Sequence, residues 1–352
     1  MAGNKIRQRQ HRKLIKNRAG LVLVAITSLG VAILLSALKP PHISIAAKVI
    51  TDEVHLSFQN DWEIYDLPAK EIRLVNAENI KIEGELFSVG EVKKTTATGK
   101  RISVQQQSLA SSWSAALSSE DIRINVTIPA KADVSLAVEG KKPQILRISI
   151  AGKKTQGSID VGSELQLSCN SCTVTGSESG DTLHQPGRMK VQNITQEIKF
   201  SSTPYSFIIS IVLADEGVFS HLAIGQSLQV SKFDFQRGAL PLSAVSGSGK
   251  IAFPHLKLEA ISIGQGDFLH LEPTKTLSVR RITITDAIEL EMEGSVNKIS
   301  SGPVGVIRSR MPNLLQYFYA SEFFQLLLGA VMAIGGALAS VLYRFGYLSK
   351  DT

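Results

Sequence analysis

Apolar residues recur at every second position through most of the middle of the chain. The clearest runs are Val54, Leu56 and Phe58; Ile122, Ile124, Val126 and Ile128; Val134, Leu136 and Val138; Leu146, Ile148 and Ile150; Phe233 and Phe235; Ile261 and Ile263; Ile282 and Ile284; and Ile288, Leu290 and Met292. Successive side chains of a strand point to opposite faces, so this period predicts antiparallel strands buried on one side only. Clusters of Gly, Ser, Asn and Pro separate the runs at hairpin-like intervals. The expected fold is an all-β antiparallel sandwich or stacked sheets over residues 39–322, with a subdivision into two subdomains near residues 176–187. One segment breaks the pattern: between Gln105 and Ser118 the residues Leu109, Trp113, Ala116 and Leu117 fall on one face at helical spacing, which predicts a short helix.

Both ends differ in kind. Residues 19–38 and 323–343 are uncharged, mostly apolar runs, and about 20 such residues in a helix match the thickness of a hydrocarbon core. The expectation is therefore a transmembrane helix flanking the β region on each side. Ahead of the first run stand Lys5, Arg7, Arg9, Arg12, Lys13, Lys16 and Arg18 without an acidic residue, which places residues 1–18 in the cytoplasm under the positive-inside rule. Two crossings return the tail 344–352 to the same side. The predicted location is an integral protein of a bacterial cytoplasmic membrane with residues 39–322 extracytoplasmic. A cleaved signal peptide fits less well, because the apolar run exceeds the usual signal core of about 7–15 residues. Arg18, Lys39, Tyr317, Tyr319, Tyr343 and Tyr347 are the candidate membrane-interface anchors. Small residues at four-residue spacing, Ser28, Ala32 and Ser36 in the first run and Gly329, Ala333 and Ala337 in the second, are candidate helix-packing stripes.

This distribution changes the meaning of the charge. The chain carries 38 basic and 31 acidic residues, a surplus that could point to nucleic acid. With seven basic residues in the N-terminal tail, the middle region is close to neutral, so no nucleic-acid partner is expected. The lipid bilayer and a protein bound in the membrane or envelope are the expected partners, with self-association into a homo-oligomer as a further one.

Candidate chemistry is sparse. Cys169 and Cys172 are the two cysteines, and their spacing fits a structural disulfide across a tight turn. A redox centre would need a helix beginning at the first cysteine, and a zinc site would need more ligands than the neighbouring His184 supplies. Gly247-Ser248-Gly249-Lys250 lacks the first glycine and the magnesium-binding hydroxyl of a phosphate loop, and reads as a flexible turn. Gly264-Gln265-Gly266-Asp267 is one imperfect copy of a calcium-binding repeat that works only when stacked, and also reads as a turn. The histidines show no paired ligand spacing, and Asn125-Val-Thr127 and Asn193-Ile-Thr195 match the glycosylation sequon at about the chance rate. No catalytic residue, cofactor or metal is predicted. The expected function is a non-enzymatic subunit of a membrane or envelope complex whose β domain binds a partner protein, glycan or lipid. The alternatives are an oligomeric two-span channel and an envelope enzyme of unrecognised type.

Overall fold

The computed structural model describes residues 33–88, 102–106, 113–139, 144–162, 164–176, 182–184, 187–213, 228–234, 247–264, 267–274, 276–303 and 306–321. Ile26, Leu29, Gly30, residues 324–326, Gly329 and Ala333 are described as well. Two compact units are distinguished. One comprises His42–Ala252 with Ala260–Arg310; the other gathers the two ends of the chain with Phe253–Glu259.

The larger unit is built of strands alone among the described residues. In chain order they are β1 (Ile43–Thr51), β2 (Glu53–Phe58), β3 (Trp62–Val75), β4 (Ala77–Ile82), β5 (Glu85–Ser88), β6 (Ile102–Gln106), β7 (Ser114–Ile128) and β8 (Asp133–Glu139). There follow β9 (Ile145–Ala151), β10 (Gln156–Val161), β11 (Glu164–Asn170), β12 (Cys172–Gly176), β13 (Thr182–His184), β14 (Gly187–Gln192), β15 (Ile198–Ser202) and β16 (Phe207–Leu213). The last are β17 (Leu228–Asp234), β18 (Gly247–Ala252), β19 (Ile261–Ile263), β20 (Phe268–Pro273), β21 (Ser278–Ile284), β22 (Ile288–Gly302) and β23 (Arg308–Ser309). The burial of β16, alternating buried and half-buried from Phe207 to Leu213, shows the period-two pattern acting as expected.

All the ladders are antiparallel. From β17 the hydrogen bonding runs through β2, β8, β9, β16 and β3 to the long strand β7. There the sheet forks. The second half of β7 pairs with β10, and the order continues β15, β4, β6, β12 and β13. The first half of β7 pairs instead with β11, then β14 and β5. Strands therefore pass from one branch to the other at corners: β4 leads into β5, β10 into β11, β11 into β12 and β14 into β15. Positive φ angles mark two such corners, at Ser171 between β11 and β12 and Asn193 between β14 and β15, and also the bend at Asn76 between β3 and β4. Ile80, Ile82, Val104, Trp113, Leu117, Leu165, Leu167, Val174, Val191 and Phe200 are all buried and supply the branches with their apolar faces.

The segment expected as a helix is strand on both described sides. Gln105 lies in β6 and Ser114–Ser118 in β7, while residues 107–112 fall outside the described part. Trp113, Ala115 and Leu117 are buried at period two, and Ala116 is half-buried on the other face; of the four residues at helical spacing Leu109 lies outside the described part, and for the other three cross-strand pairing with β3 and β11 decides for strand. Gly247 and Gly249, read as a turn, belong to β18, with Gly249 opposite Val49. Gly264 and Asp267 do form a turn, closed by the Gly264 amide donating to the Asp267 carboxylate at 3.0 Å.

The membrane architecture is corrected. Among the described residues no helix is long and apolar enough to cross a membrane, so the flanking transmembrane helices are not supported. The integral-membrane location, the cytoplasmic placement of both ends and the two-span channel lose their basis with them. Near the second apolar run, the described helix Leu314–Ala320 has only 7 residues. Asn313 caps it through a reciprocal capping box with Gln316, and Ser321 ends it in an extended conformation ahead of that run. Arg18, Ser28, Ala32, Ala337, Tyr343 and Tyr347 lie outside the described residues. Of the others, Ser36 donates to the Ile33 carbonyl at 2.7 Å, and Lys39 is exposed. A Cβ placed on Gly329 would meet nothing within 4 Å among the described residues, and Ala333 is exposed. Tyr317 and Tyr319 belong to the short helix, which joins the rest of its unit through Leu314 N–H to Leu38 O at 2.8 Å and Lys257 N–H to Ala320 O at 3.1 Å.

Candidate functional site

The outward face of the longer branch carries the most organised polar surface among the described residues. The strands β7, β10, β15, β4, β6 and β12 place one residue each in two successive cross-strand rows. The first row reads Thr127, Gln156, Ser201, Asn79, Gln105, Thr173; the second reads Asn125, Ser158, Lys199, Lys81, Ser103, Thr175. Every member is an amide, a hydroxyl or a lysine, and each is exposed or half-buried. Between them, in the same register, runs Val126, Gly157, Phe200, Ile80, Val104, Val174, which turns inward. Short sequences such as Asn79-Ile-Lys81, Ser103-Val-Gln105 and Thr173-Val-Thr175 produce this separation simply by alternating. At the usual strand spacing of about 4.8 Å, six strands extend each polar row over roughly 24 Å.

The face is hollowed. A trough of about 650 Å³ lies over β7, β10, β15 and β4, bounded at one end by Pro129 and Lys154. A second hollow of about 560 Å³ shares Lys81 and Lys199 with it and continues past Ser103 to Thr175, Glu83 and Glu197. Gly157 makes the floor possible: a Cβ there would fall on the ring of Phe200 and stand 2.5 Å from the Asn125 carbonyl oxygen.

Charge is ordered across the rows. Lys154 is tied to Glu78, which also accepts from Ser201 Oγ at 3.4 Å. The hydrogen bond from Lys154 holds the Glu78 carboxyl below its ordinary range. Lys199 and Lys81 are direct cross-strand neighbours, and neither has an ion-pair partner among the described residues. Two residues further along the strands, on the same face, Arg123 lies opposite Asp160, and Glu197 and Glu83 stand two residues from Lys199 and Lys81 on their own chain segments. Arg123 Nη1 donates to both carboxylate oxygens of Asp66, each at 2.9 Å. The Asp66 amide, at a bulge in β3 with φ of 56°, donates to Asn125 Oδ1 at 2.7 Å. Asn125 Nδ2 in turn reaches Asp160 Oδ2 at 3.3 Å. Partial burial pushes the Asp160 carboxyl up, with repulsion from Glu197 adding to it and the Asn125 hydrogen bond opposing it. Asn125, matched to a sequon in the sequence, is thus committed to fixing the edge of the trough.

The cysteines singled out in the sequence lie at a corner of the sheet. The Cys169 and Cys172 sulfurs stand at disulfide distance, with Cα atoms 6.0 Å apart, at the corner joining β11 to β12. Cys172 is buried, and its strand donates Thr173 and Thr175 to the polar rows. Replacing both cysteines by alanine is expected to cost about 2 kcal/mol, because the bond closes a loop of only a few residues. Urea denaturation measures this, and a loss several times larger would mean that the bond holds more than its own corner.

One further cluster brings a histidine beside polar groups. Ser135 Oγ donates to Glu53 Oε1 at 3.2 Å, and His55 Nε2 lies 3.5 Å from the same oxygen. The adjoining hollow is about 190 Å³. The serine is bound to the carboxylate and not to the imidazole, so the three are not set out as nucleophile and base. No group of three or more His, Cys, Asp or Glu side chains among the described residues could hold a metal ion.

Sequence reasoning missed the polar rows. Their members are the polar partners in the alternation, and what makes them a surface is the register between strands distant in the chain, which no single strand records. Compared with known protein families and with curated protein sequences, the chain matches none, and the chemistry of this face carries the functional argument alone.

Proposed function

We propose that the chain is a non-enzymatic recognition protein whose polar β-face binds an extended, polyhydroxylated polymer, a polysaccharide. The observation that supports this is the pair of rows crossing six strands, composed of amides, hydroxyls and lysines with no apolar member. A chain of sugars laid across the strands meets a donor or acceptor at every strand spacing, and each sugar presents hydroxyls that both donate and accept. The amides supply two donors and one carbonyl each, and the hydroxyls match either role. Several such contacts, each worth about 1 kcal/mol net, add up along a polymer in a way that a single small ligand cannot exploit. The near-neutral middle of the chain agrees with a partner recognised by hydrogen bonding first.

The test uses the full-length chain and a panel of immobilised cellulose, starch, chitin and polygalacturonate. At least one polymer is expected to retain the protein. Gln156→Leu and Ser158→Leu, both on the outward side of β10, remove the hydrogen-bonding groups without changing the charge and are expected to weaken retention at least about tenfold when combined, with the circular dichroism unchanged. Retention by no polymer, or retention of the variants equal to that of the parent, would sink the proposal.

A further inference from the structure

We infer that the polymer is an acidic polysaccharide, one that carries carboxylates at intervals along a hydroxyl-rich backbone, and that Lys81 and Lys199 bind those carboxylates. This rests on the reading of the polar face as a polysaccharide site and names the ligand's charge.

Lys199 and Lys81 sit directly opposite each other on adjacent strands, where like charges repel and destabilise the pairing. The carboxylates close by are otherwise engaged or set aside. Glu78 is held by Lys154, and Glu197 and Glu83 lie in the neighbouring row at the far side of the second hollow. An anion placed between the two ammonium groups relieves their repulsion and gains charge-assisted hydrogen bonds from both. Ser158 flanks Lys199 and Ser103 flanks Lys81 in the same row, so hydroxyls of the same sugar unit find partners beside the anion.

The ordering of the rows limits which polyanion fits. On one side of the lysines lies the uncharged row of Gln156, Ser201 and Asn79, and on the other the acidic residues Asp160, Glu197 and Glu83. Ser103 Oγ donates to Asn79 Oδ1 at 2.9 Å, which leaves the Asn79 amide hydrogens for a ligand. A polymer charged on all sides, such as a nucleic acid, meets the acidic row; one with a single charged edge and a hydroxylated edge lies over the lysine row and the neutral row together.

Polygalacturonate and its methyl ester share one backbone and differ in charge, so they are the probes, with polyglutamate as a non-glycan polyanion. Using the full-length chain, polygalacturonate is expected to bind about tenfold tighter than its methyl ester, the scale of one charge-assisted hydrogen bond. Lys81→Gln/Lys199→Gln is expected to remove that preference and flatten the salt dependence, while binding to the methyl ester persists. Both lysines are exposed and repel each other, so the variant is expected to match or slightly exceed the parent's thermal midpoint. The inference is overturned if the ester binds as tightly as the acid, if the double variant keeps the preference, or if polyglutamate competes as well as polygalacturonate. Retention on cellulose, starch or chitin, with neither form of polygalacturonate bound, overturns the inference and leaves the polysaccharide reading standing. Failure of every polymer to bind removes both.

Discussion

Trp113→Ala is expected to destabilise the larger unit by about 3–5 kcal/mol, the range for emptying a buried indole site, and to abolish binding on the polar face. Trp113 is 1% exposed, and its position joins two strands that are not its neighbours in the chain. The indole Nε1 donates to the Ala77 carbonyl at 2.6 Å, while the Trp113 carbonyl accepts from the Asn76 amide at 3.0 Å. Asn76 is the left-handed residue at which β3 turns into β4. One side chain therefore fills the core and pins the corner that aims β4, the strand that presents Asn79 and Lys81. Trp113→Phe separates the two roles. It keeps most of the ring volume and leaves the buried Ala77 oxygen without its partner, at about 1–3 kcal/mol. Urea denaturation gives both values. A loss below about 1 kcal/mol for Trp113→Ala would show that the corner is held from elsewhere.

The strand core was legible in the sequence where runs were long and β-branched. Ile122 to Ile128 and Leu146 to Ile150 announce β7 and β9 by alternation alone, because half-buried antiparallel strands impose that period. The bends were not legible. Asp66, Asn76 and Ser171 adopt left-handed backbone conformations, and Asp and Asn tolerate these as single residues anywhere in a loop, so their identity does not announce a corner. Trp113 to Leu117 was misassigned for a related reason: a stretch rich in Ala and Ser has little strand propensity of its own, and its two neighbouring strands decide its state. At the ends, apolar composition predicted spanning helices, whereas among the described residues no helix is long and apolar enough to cross a membrane; the capping box at Asn313 and the extended Ser321 bound a short helix ahead of the second apolar run.

The site was the least legible part, and for a structural reason. Lys81, Ser103, Asn125, Ser158, Thr175 and Lys199 are scattered over more than a hundred positions and share no motif. They meet because β7, β10, β15, β4, β6 and β12 pair in that order and in one register. A shift of one residue in any ladder would send its polar residues to the core and its apolar ones outward. Burial of Ile80, Val104, Val174 and Phe200 therefore fixes the polar rows indirectly: the face is specified by what lies beneath it.

That dependence makes Gly157 the most sensitive position in the site. It stands in the inward row between Val126 and Phe200, where every other member is apolar and bulky. Elsewhere in a strand Gly→Ala gains stability, since glycine weakens a strand by roughly 0.5–1 kcal/mol. Here the sign is expected to reverse. The added methyl of Gly157→Ala would overlap the Phe200 ring and lie 2.5 Å from the Asn125 carbonyl oxygen. The ring can turn; the backbone oxygen moves only with β7. Overpacking of this kind costs about 1–3 kcal/mol, and Gly157→Val is expected to reach or exceed the top of that range. Because Asn125 also braces the Asp66 bulge and the trough wall, binding on the face should weaken together with stability. A double-mutant cycle with Phe200→Leu separates the two clashes. If the ring is the main obstacle, the pair Gly157→Ala/Phe200→Leu loses less than the sum of the single variants, a favourable coupling of at least about 0.5 kcal/mol. If the backbone oxygen is the main obstacle, the losses add. A Gly157→Ala variant as stable as the parent would instead show that β10 shifts freely against β7, and the register that builds the polar rows would not be fixed at this point.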